Sequence, residues 1–216
     1  MRWLCMFGLF GVVNIACHAA DDKPAAITFV KDDAGKLPRG WTTAQTAKAD
    51  GSVWKVVADD TAPSKKGFVL QQTTAAPKAT FNLCVRDDTK YKDVDIRVAF
   101  KAVQGKVDQG GGLVWRYQDP DNYLIARYNP LEGNFRLYKV IDGKRIQIAG
   151  KEDLDLKSGE WHTMQVAMEG ERIECKLNGK QLFEAKSGDL DKPGKVGLWT
   201  KADAVTSFDD LSIRGK

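Results

Sequence analysis

The chain has 216 residues, of which 33 are Lys or Arg and 29 are Asp or Glu, and its formal net charge is +4. The charges are scattered along the chain, so no basic face or stripe of the kind that binds nucleic acid is present, and we expect no nucleic-acid partner. A chain of this length can bury one sizeable hydrophobic core, which favours a single globular domain.

The first residues have the pattern of an export signal. Arg2 supplies the positive start, Trp3–Ile15 forms an apolar core, and residues 16–20 form a cleavage region of mostly small residues. The apolar core is too short for a comfortable membrane span, and no second apolar segment follows. We therefore predict a signal peptide at 1–20 and one domain at 21–216, exported to the periplasm or outside the cell.

Cysteine usage raises two further questions. A lipoprotein anchor on Cys17 is the less favoured alternative, because Asn14 stands where such a signal usually carries Leu. Cys84 and Cys175 would remain after cleavage, and one disulfide between them is conceivable in an export compartment. Apolar alternation puts Cys84 opposite the apolar residues of its run and Cys175 among those of its own, so we predict two free thiols.

Short alternating runs separated by turn residues continue to the end of the chain and predict about fourteen strands and no helix. Thr42–Lys48 is the least certain segment, a loop or a single helical turn. So many short antiparallel strands in one domain predict an all-β, concanavalin A-like jelly-roll sandwich of two curved antiparallel sheets, with a concave front. The named runs are Ile27–Val30, Ser52–Val57, Gly67–Gln71, Thr80–Val85, Val94–Phe100, Leu113–Tyr117, Tyr123–Tyr128, Phe135–Val140, Trp161–Met168, Arg172–Leu177, Gln181–Glu184, Lys195–Thr200 and Val205–Ile213.

The stretch from Gly110 to Lys144 mixes aromatic side chains with arginine and amide side chains. Aromatic rings can stack on the apolar face of a sugar, and forked donors and amides can bind its hydroxyls. A guanidinium is rarely buried unpaired, so we expect the arginines here to line an open face. The candidate hydroxyl binders are Arg116, Arg127 and Asn129, and the candidate stacking residues are Trp115, Tyr123 and Tyr138.

Catalytic candidates are few. A glycosidase needs two carboxyls about 5–10 Å apart. Glu132, in a loop between Arg127 and Arg136, is the acid best placed for such a role, although an ion pair to a neighbouring Arg explains it equally well. His162 alternates with core-type methionines and valine, which favours a packed histidine over a catalytic one.

The sequence gives little support for a metal site or for a phosphate-binding loop. After removal of the predicted signal peptide, one histidine and two separated cysteines are too few for a zinc site, and the glycines at 110–112 lead into a strand rather than a helix. A structural calcium ion is an open alternative. Asp119, Asp121 and Asn122 resemble the start of an acidic calcium loop, and Asp209 or Asp210 can contribute to a cation site.

Three segments resemble a known family, and the resemblance extends over nearly all of Thr28–Ile213. They are GGGLVWRYQDPDNYLIARYNPLEGNFRLYKVIDGKR, SGEWHTMQVAMEGERIECKLNGKQLFE and PGKVGLWTKADAVTSFDDLSI. They are similar to secreted bacterial laminin-G-like, concanavalin A-like jelly rolls of the 3-keto-disaccharide hydrolase-like group, loosely labelled family 16 glycoside hydrolases. The resemblance implies a curved two-sheet fold and a carbohydrate ligand, and Arg116 matches an arginine of these relatives.

The sequence departs from the resembled family at the acidic positions. True family 16 hydrolases carry a Glu-x-Asp-x-(x)-Glu strand that is absent here, and Leu124 stands where hydrolase-like relatives carry Glu. We therefore predict an exported domain that binds glycans on its concave sheet. Two alternatives stay open: a glycoside hydrolase acting on 3-keto-disaccharides or polysaccharides, and a laminin-G-like module that binds a protein partner.

Overall fold

The computed structural model describes residues 26–47 and 51–216, so the predicted signal peptide lies outside the described residues. Fourteen strands form two antiparallel sheets of seven strands each. The strands are β1 Trp41–Thr46, β2 Trp54–Ala58, β3 Phe68–Gln72, β4 Phe81–Arg86, β5 Val94–Gln104, β6 Gly111–Asp119, β7 Asn122–Asn129, β8 Asn134–Ile141, β9 Lys144–Lys151, β10 Trp161–Glu169, β11 Arg172–Leu177, β12 Lys180–Lys186, β13 Lys195–Lys201 and β14 Val205–Gly215.

We call the two sheets front and back. The front sheet has the order β1-β4-β13-β6-β7-β8-β9, and the back sheet has the order β12-β11-β10-β5-β14-β3-β2. Tight turns join the consecutive strands from β6 to β9 and from β10 to β12 as hairpins. At the β11–β12 turn, Asn178 and Gly179 both have positive φ, as predicted from the Asn-Gly pair. The jelly-roll prediction is confirmed.

Three segments differ from the sequence prediction. Ile27–Val30 is not a strand, because Ile27 forms only an isolated bridge to Leu211 and the chain then enters a 3₁₀ turn at Lys31–Asp33. The uncertain Thr42–Lys48 segment instead lies largely in β1, which pairs with β4 along its whole length. Strand β9 was not predicted, although an Asp-Gly turn precedes it.

The main core lies between the inner faces of the two sheets. Trp115 of the front sheet and Phe100 and Met164 of the back sheet are among its fully buried side chains. Cys84 and Cys175 are free and both lie in this core, so the predicted free thiols are confirmed but the predicted opposite burial is wrong. Burial raises the pKa of both thiols, for Cys175 to about 12.

A second buried cluster lies on the opposite face of the front sheet, and we call it the concave cluster. It comprises Phe81, Leu83, Val114, Tyr123, Ile125, Tyr138, Val140 and Trp199. The front sheet curls towards this side, because side chains of its two flanks meet across it. The Thr46 Oγ1 of β1 lies 2.8 Å from the Tyr123 hydroxyl, and the Arg145 guanidinium of β9 lies 5.0 Å from the Phe81 ring of β4.

Candidate functional site

The concave cluster brings aromatic rings from four different strands onto one face. Phe81 lies on β4, Trp199 on β13, Tyr123 on β7 and Tyr138 on β8. The Phe81 and Trp199 rings are 5.4 Å apart between centroids, and the Tyr117 ring adjoins Tyr123 at 6.2 Å. Period-two alternation in each strand sends these rings to the concave face and the intervening residues to the main core.

Arg145 covers this aromatic surface. Its guanidinium carbon lies 4.4 Å from the ring centroid of Tyr138, 5.0 Å from that of Phe81 and 5.9 Å from that of Trp199. Among the described residues the Arg145 guanidinium has neither a hydrogen bond nor an ion pair, and its Nη1 is buried without a partner. Desolvation lowers the pKa of Arg145 below its ordinary value. Cation–π attraction to the three rings and the more distant charge of Asp108 hold the guanidinium in place.

Trp199 contributes a second buried donor without an acceptor. The side chain is 1% exposed, and its Nε1 meets no hydrogen-bond partner in the described part of the chain. Trp199 Nε1 lies close enough to the Tyr123 hydroxyl to oppose the rise in the pKa of that hydroxyl, although their geometry falls short of a hydrogen bond. That hydroxyl bonds instead to Thr46, and burial raises its pKa.

A polar network borders the rings at the β7–β8 end of the cluster. Arg127 donates to Asn134 Oδ1 at 2.6 Å, to Glu132 Oε2 at 2.8 Å and to the Tyr138 hydroxyl at 3.3 Å. Partial burial opposes ionisation of Glu132, but the hydrogen bonds and charges of Arg127, Asn134 and Arg136 together outweigh it and leave the pKa of Glu132 below its ordinary value. Glu132 is therefore an ionised carboxylate with a half-exposed face.

A buried ion pair adjoins this network. Lys201 Nζ donates to Asp108 Oδ2 at 2.7 Å, and Asn129 Nδ2 donates to Asp108 Oδ1 at 2.9 Å. Asp108 is 3% exposed, and desolvation raises its pKa although Lys201 opposes the shift. Buried carboxylates with raised pKa values occur preferentially at functional sites, although structural ion pairs also produce them.

The structure brings most of the predicted site residues together. Arg127, Tyr123, Tyr138 and Glu132 lie at the concave cluster, and Asn129 adjoins it through Asp108. All five come from β7, β8 and the turn between them.

Two predicted site residues lie elsewhere. Trp115 is fully buried in the main core, where its Nε1 donates to Met168 Sδ at 3.1 Å. Arg116 has a φ of 48° at a bulge in β6, which turns its side chain to the inner side of the sheet. There it is 1% exposed and donates to the carbonyls of Lys92 and Gly170 at 2.8 and 2.7 Å. Arg127 is likewise only 2% exposed, so the prediction that these two arginines line an open face is wrong for both.

Five residues of the site were not singled out in the sequence. These are Phe81, Asp108, Arg145, Trp199 and Lys201. They come from four separate stretches that meet only because the front sheet curls, and local patterning does not report curvature. One signal was available, since Arg145 follows an Asp-Gly turn in an alternating run typical of a strand.

The remaining sequence candidates have structural explanations or stay predictions. His162 is buried against Phe100, with Nε2 3.1 Å from the Lys157 carbonyl, which confirms a packed histidine. Asp119 accepts from the backbone of Asp121, which is a turn interaction. No group of three or more His, Cys, Asp or Glu side chains suited to a metal ion occurs among residues 26–47 and 51–216. The calcium alternative stays a prediction.

No helix in the described ranges is long and apolar enough to cross a membrane. The two seven-stranded antiparallel sheets define the class of jelly-roll sandwiches. A family model described as the 3-keto-alpha-glucoside-1,2-lyase-like domain matches residues 29–214. The chain therefore belongs to this family. No protein of curated function matches it.

Solved structures agree with the fold. The carbohydrate-binding module CBM66 from Bacillus subtilis superposes with a TM-score of 0.62 at 18% identity, over 82% of this chain and 96% of that one. Bacillus licheniformis beta-glucanase gives a TM-score of 0.57 at 12% identity, over 85% and 96%. A putative glycosyl hydrolase from Parabacteroides distasonis gives 0.51 at 17% identity, over 82% and 99%. At these identities the likeness concerns the fold alone.

Proposed function

We propose that this protein is exported and binds carbohydrate at the concave cluster. The observation that carries the proposal is the pair of buried donors without acceptors, Arg145 Nη1 and Trp199 Nε1, beside packed aromatic rings. Buried polar groups in folded proteins are nearly always hydrogen-bonded, and an unpaired donor at a concave face points to a ligand that completes it. Sugars offer both an apolar face for rings and oxygen acceptors for N–H groups.

Access to the rings depends on Arg145. The rings are nearly closed to solvent, and the Arg145 guanidinium lies where the apolar face of a sugar would stack. Because this side chain makes no hydrogen bond or ion pair to the described residues, moving it aside costs mainly cation–π attraction, about 1–2 kcal/mol. A stacking sugar ring replaces that attraction with its own contact.

A matched pair of substitutions tests the proposal. Tyr138→Leu removes a ring and a hydroxyl from the concave cluster, while Trp161→Leu removes an indole from the outer face of the back sheet. We expect retention on a glycan panel, including 3-keto-disaccharides, to survive Trp161→Leu and to be lost with Tyr138→Leu in a protein that still unfolds cooperatively. Retention that survives Tyr138→Leu, or no retention of any glycan by the unsubstituted protein, contradicts the proposal.

Cleavage of 3-keto-glycosides is the second candidate function, favoured by two carboxylates, Asp108 and Glu132, at one end of the concave cluster. A ketone at C3 makes the proton at C2 acidic. A carboxylate base removes that proton, the C1–C2 double bond forms, the bond from C1 to the leaving oxygen breaks, and that oxygen takes a proton from water or an acid. Glu132, kept ionised by Arg127, suits the base and not the acid.

Product release distinguishes cleavage from binding. We expect 3-keto-disaccharide turnover, if Glu132 is the base, to be abolished by Glu132→Gln and retained by Glu152→Gln, a fully exposed acid paired with Arg136. If both variants turn over the substrate, Glu132 is not the base, and Asp108→Asn is the next variant to test. Retention of glycan without any release leaves a binding module.

A further inference from the structure

The concave cluster and its polar border hold one cation without a counter-ion. Three of the four cations there are paired with carboxylates: Arg127 with Glu132 at 2.8 Å, Arg136 with Glu152 at 3.2 Å and Lys201 with Asp108 at 2.7 Å. Arg145 has no ion pair among the described residues, although it is half-buried and faces three rings. The cluster therefore lacks one negative charge.

Burying a cation without a counter-ion is costly, and the cost falls on Arg145 rather than on a solvated rim residue. Desolvation lowers the pKa of Arg145 more than the attraction of Asp108 raises it, which is the direction expected for a guanidinium without a close counter-ion. The neighbouring Trp199 Nε1 adds an uncharged donor on the same side. The planar guanidinium of Arg145 and the indole N–H of Trp199 can donate hydrogen bonds to the two oxygens of one carboxylate.

On this basis, and resting on the proposed function, we infer that the carbohydrate recognised at the concave cluster is acidic, with a uronate carboxylate that pairs with Arg145 and accepts from Trp199 Nε1. The uronate ring stacks on Tyr138 and Phe81 as Arg145 leaves them. Arg145 then loses its cation–π contacts and forms a charge-assisted pair with the uronate carboxylate. Such a pair contributes more binding free energy than a neutral hydrogen bond. A neutral sugar gives Arg145 no such partner.

Matched neutral and acidic ligands test the inference by isothermal titration calorimetry. One pair is an oligogalacturonate and the same oligosaccharide after carboxyl reduction. The other is a cello-oligosaccharide with glucuronate units and its unmodified parent. We expect the acidic member of at least one pair to bind about tenfold or more tightly, the factor that corresponds to one charge-assisted hydrogen bond. The preference should weaken as salt is added.

Two variants locate the preference. Arg145→Met keeps the aliphatic stem and removes the fork, while Arg97→Met removes an exposed arginine from the outer face of the back sheet. We expect Arg145→Met to reduce the acidic affinity to the neutral level and Arg97→Met to leave both affinities unchanged. Thermal unfolding of each variant verifies that it is folded.

Each outcome decides the inference. Equal binding of neutral and acidic members overturns the acidic class but leaves the proposed function standing. An acidic preference that survives Arg145→Met overturns the role of Arg145. A sulfated oligosaccharide bound more tightly than the uronate overturns the assignment of a carboxylate. Absence of binding by every member overturns this inference, and retention on the wider glycan panel then decides whether the proposed function stands.

Discussion

Each sheet carries one indole that is covered by a cation on its outer face. On the back sheet, Lys101 Nζ lies 5.0 Å from the Trp161 ring, and on the front sheet the Arg145 guanidinium lies 5.9 Å from the Trp199 ring. At the back-sheet pair, Trp161 Nε1 donates to Thr61 at 3.0 Å and Lys101 donates to Asp59 and Thr61. At the front-sheet pair neither cation nor indole has an acceptor among the described residues.

Burial alone does not distinguish the two cation–indole pairs, whereas the hydrogen bonding of the indole and of the cation does. Trp199 is more deeply buried than Trp161, yet only Trp199 keeps an unpaired donor. A fully satisfied cation–indole pair stabilises the native state on its own. An unsatisfied pair lowers stability in the free protein and becomes favourable only when a ligand arrives, a trade-off common at binding sites.

A third cation, Arg116, gives the largest expected effect because it is the most completely satisfied and the most buried. Arg116→Met would leave the carbonyls of Lys92 and Gly170 without their donors inside the protein. We expect the free energy of unfolding to fall by roughly 3 kcal/mol in urea denaturation, with glycan affinity unchanged in the folded fraction. An unchanged unfolding midpoint would show that these bonds are not made.

The two cation–indole pairs predict opposite consequences of removing their cations. Lys101→Met leaves Asp59 without its cation at a site where both side chains are mostly buried, so we expect a loss of about 2 kcal/mol. Arg145→Met removes a charge that has no counter-ion, so we expect stability to stay constant or to rise by up to about 1 kcal/mol. If thermal unfolding shows that Lys101→Met and Arg145→Met lose similar amounts of stability, the two cations do not differ in the way proposed.

The indole N–H groups give a smaller and more specific test. Trp199→Phe removes an unpaired donor, so we expect little change in stability and a three- to tenfold weaker glycan affinity, about one neutral hydrogen bond. Trp161→Phe removes a donor that is bonded to Thr61, so we expect a stability loss of about 1 kcal/mol and unchanged affinity. The reverse pattern in calorimetry and unfolding would place the ligand on the back sheet.

The smallest expected effect concerns Glu132 and acid pH. The pKa of Glu132 is lowered in the folded protein, so its ion pair with Arg127 stabilises the native state above the ordinary value of 4.5 and is lost as pH falls below it. The stability difference between the unsubstituted protein and Glu132→Gln should be under about 1 kcal/mol at neutral pH, because the carboxylate is partly exposed, and should vanish in acid. A difference that grows in acid would contradict the pairing.

The sequence was sufficient for the sandwich because alternation and turn residues are local signals. Alternation in β7 predicts that Tyr123, Ile125 and Arg127 share one face of the strand, and the structure places that face on the concave side. In β6 the bulge at Arg116 interrupts the alternation, so Tyr117 joins the concave cluster and Arg116 turns inward. One residue with positive φ at a bulge reverses the face of every residue that follows in the strand, and amino-acid composition does not predict where such a residue lies.

The site was predicted only where it is contiguous in sequence. Arg127, Glu132 and Tyr138 belong to one hairpin and were found together, whereas Arg145 and Trp199 reach the same place through the curl of the front sheet. Curvature depends on how seven strands twist and pack against the back sheet, a non-local property. The lack of partners at Arg145 likewise appears only in three dimensions.

The central claim is that the concave cluster is a ligand site rather than a second core. The most direct measurement is an NMR titration, in which a glycan that the protein binds is added to nitrogen-15-labelled protein and the indole N–H resonances are followed. We predict a large shift for Trp199 and none for Trp115, whose N–H is held by Met168 in the main core. The proposal that the concave cluster is the ligand site would be contradicted if calorimetry detected binding while the Trp199 resonance stayed in place. A shift of the Trp161 resonance alone would contradict it as well.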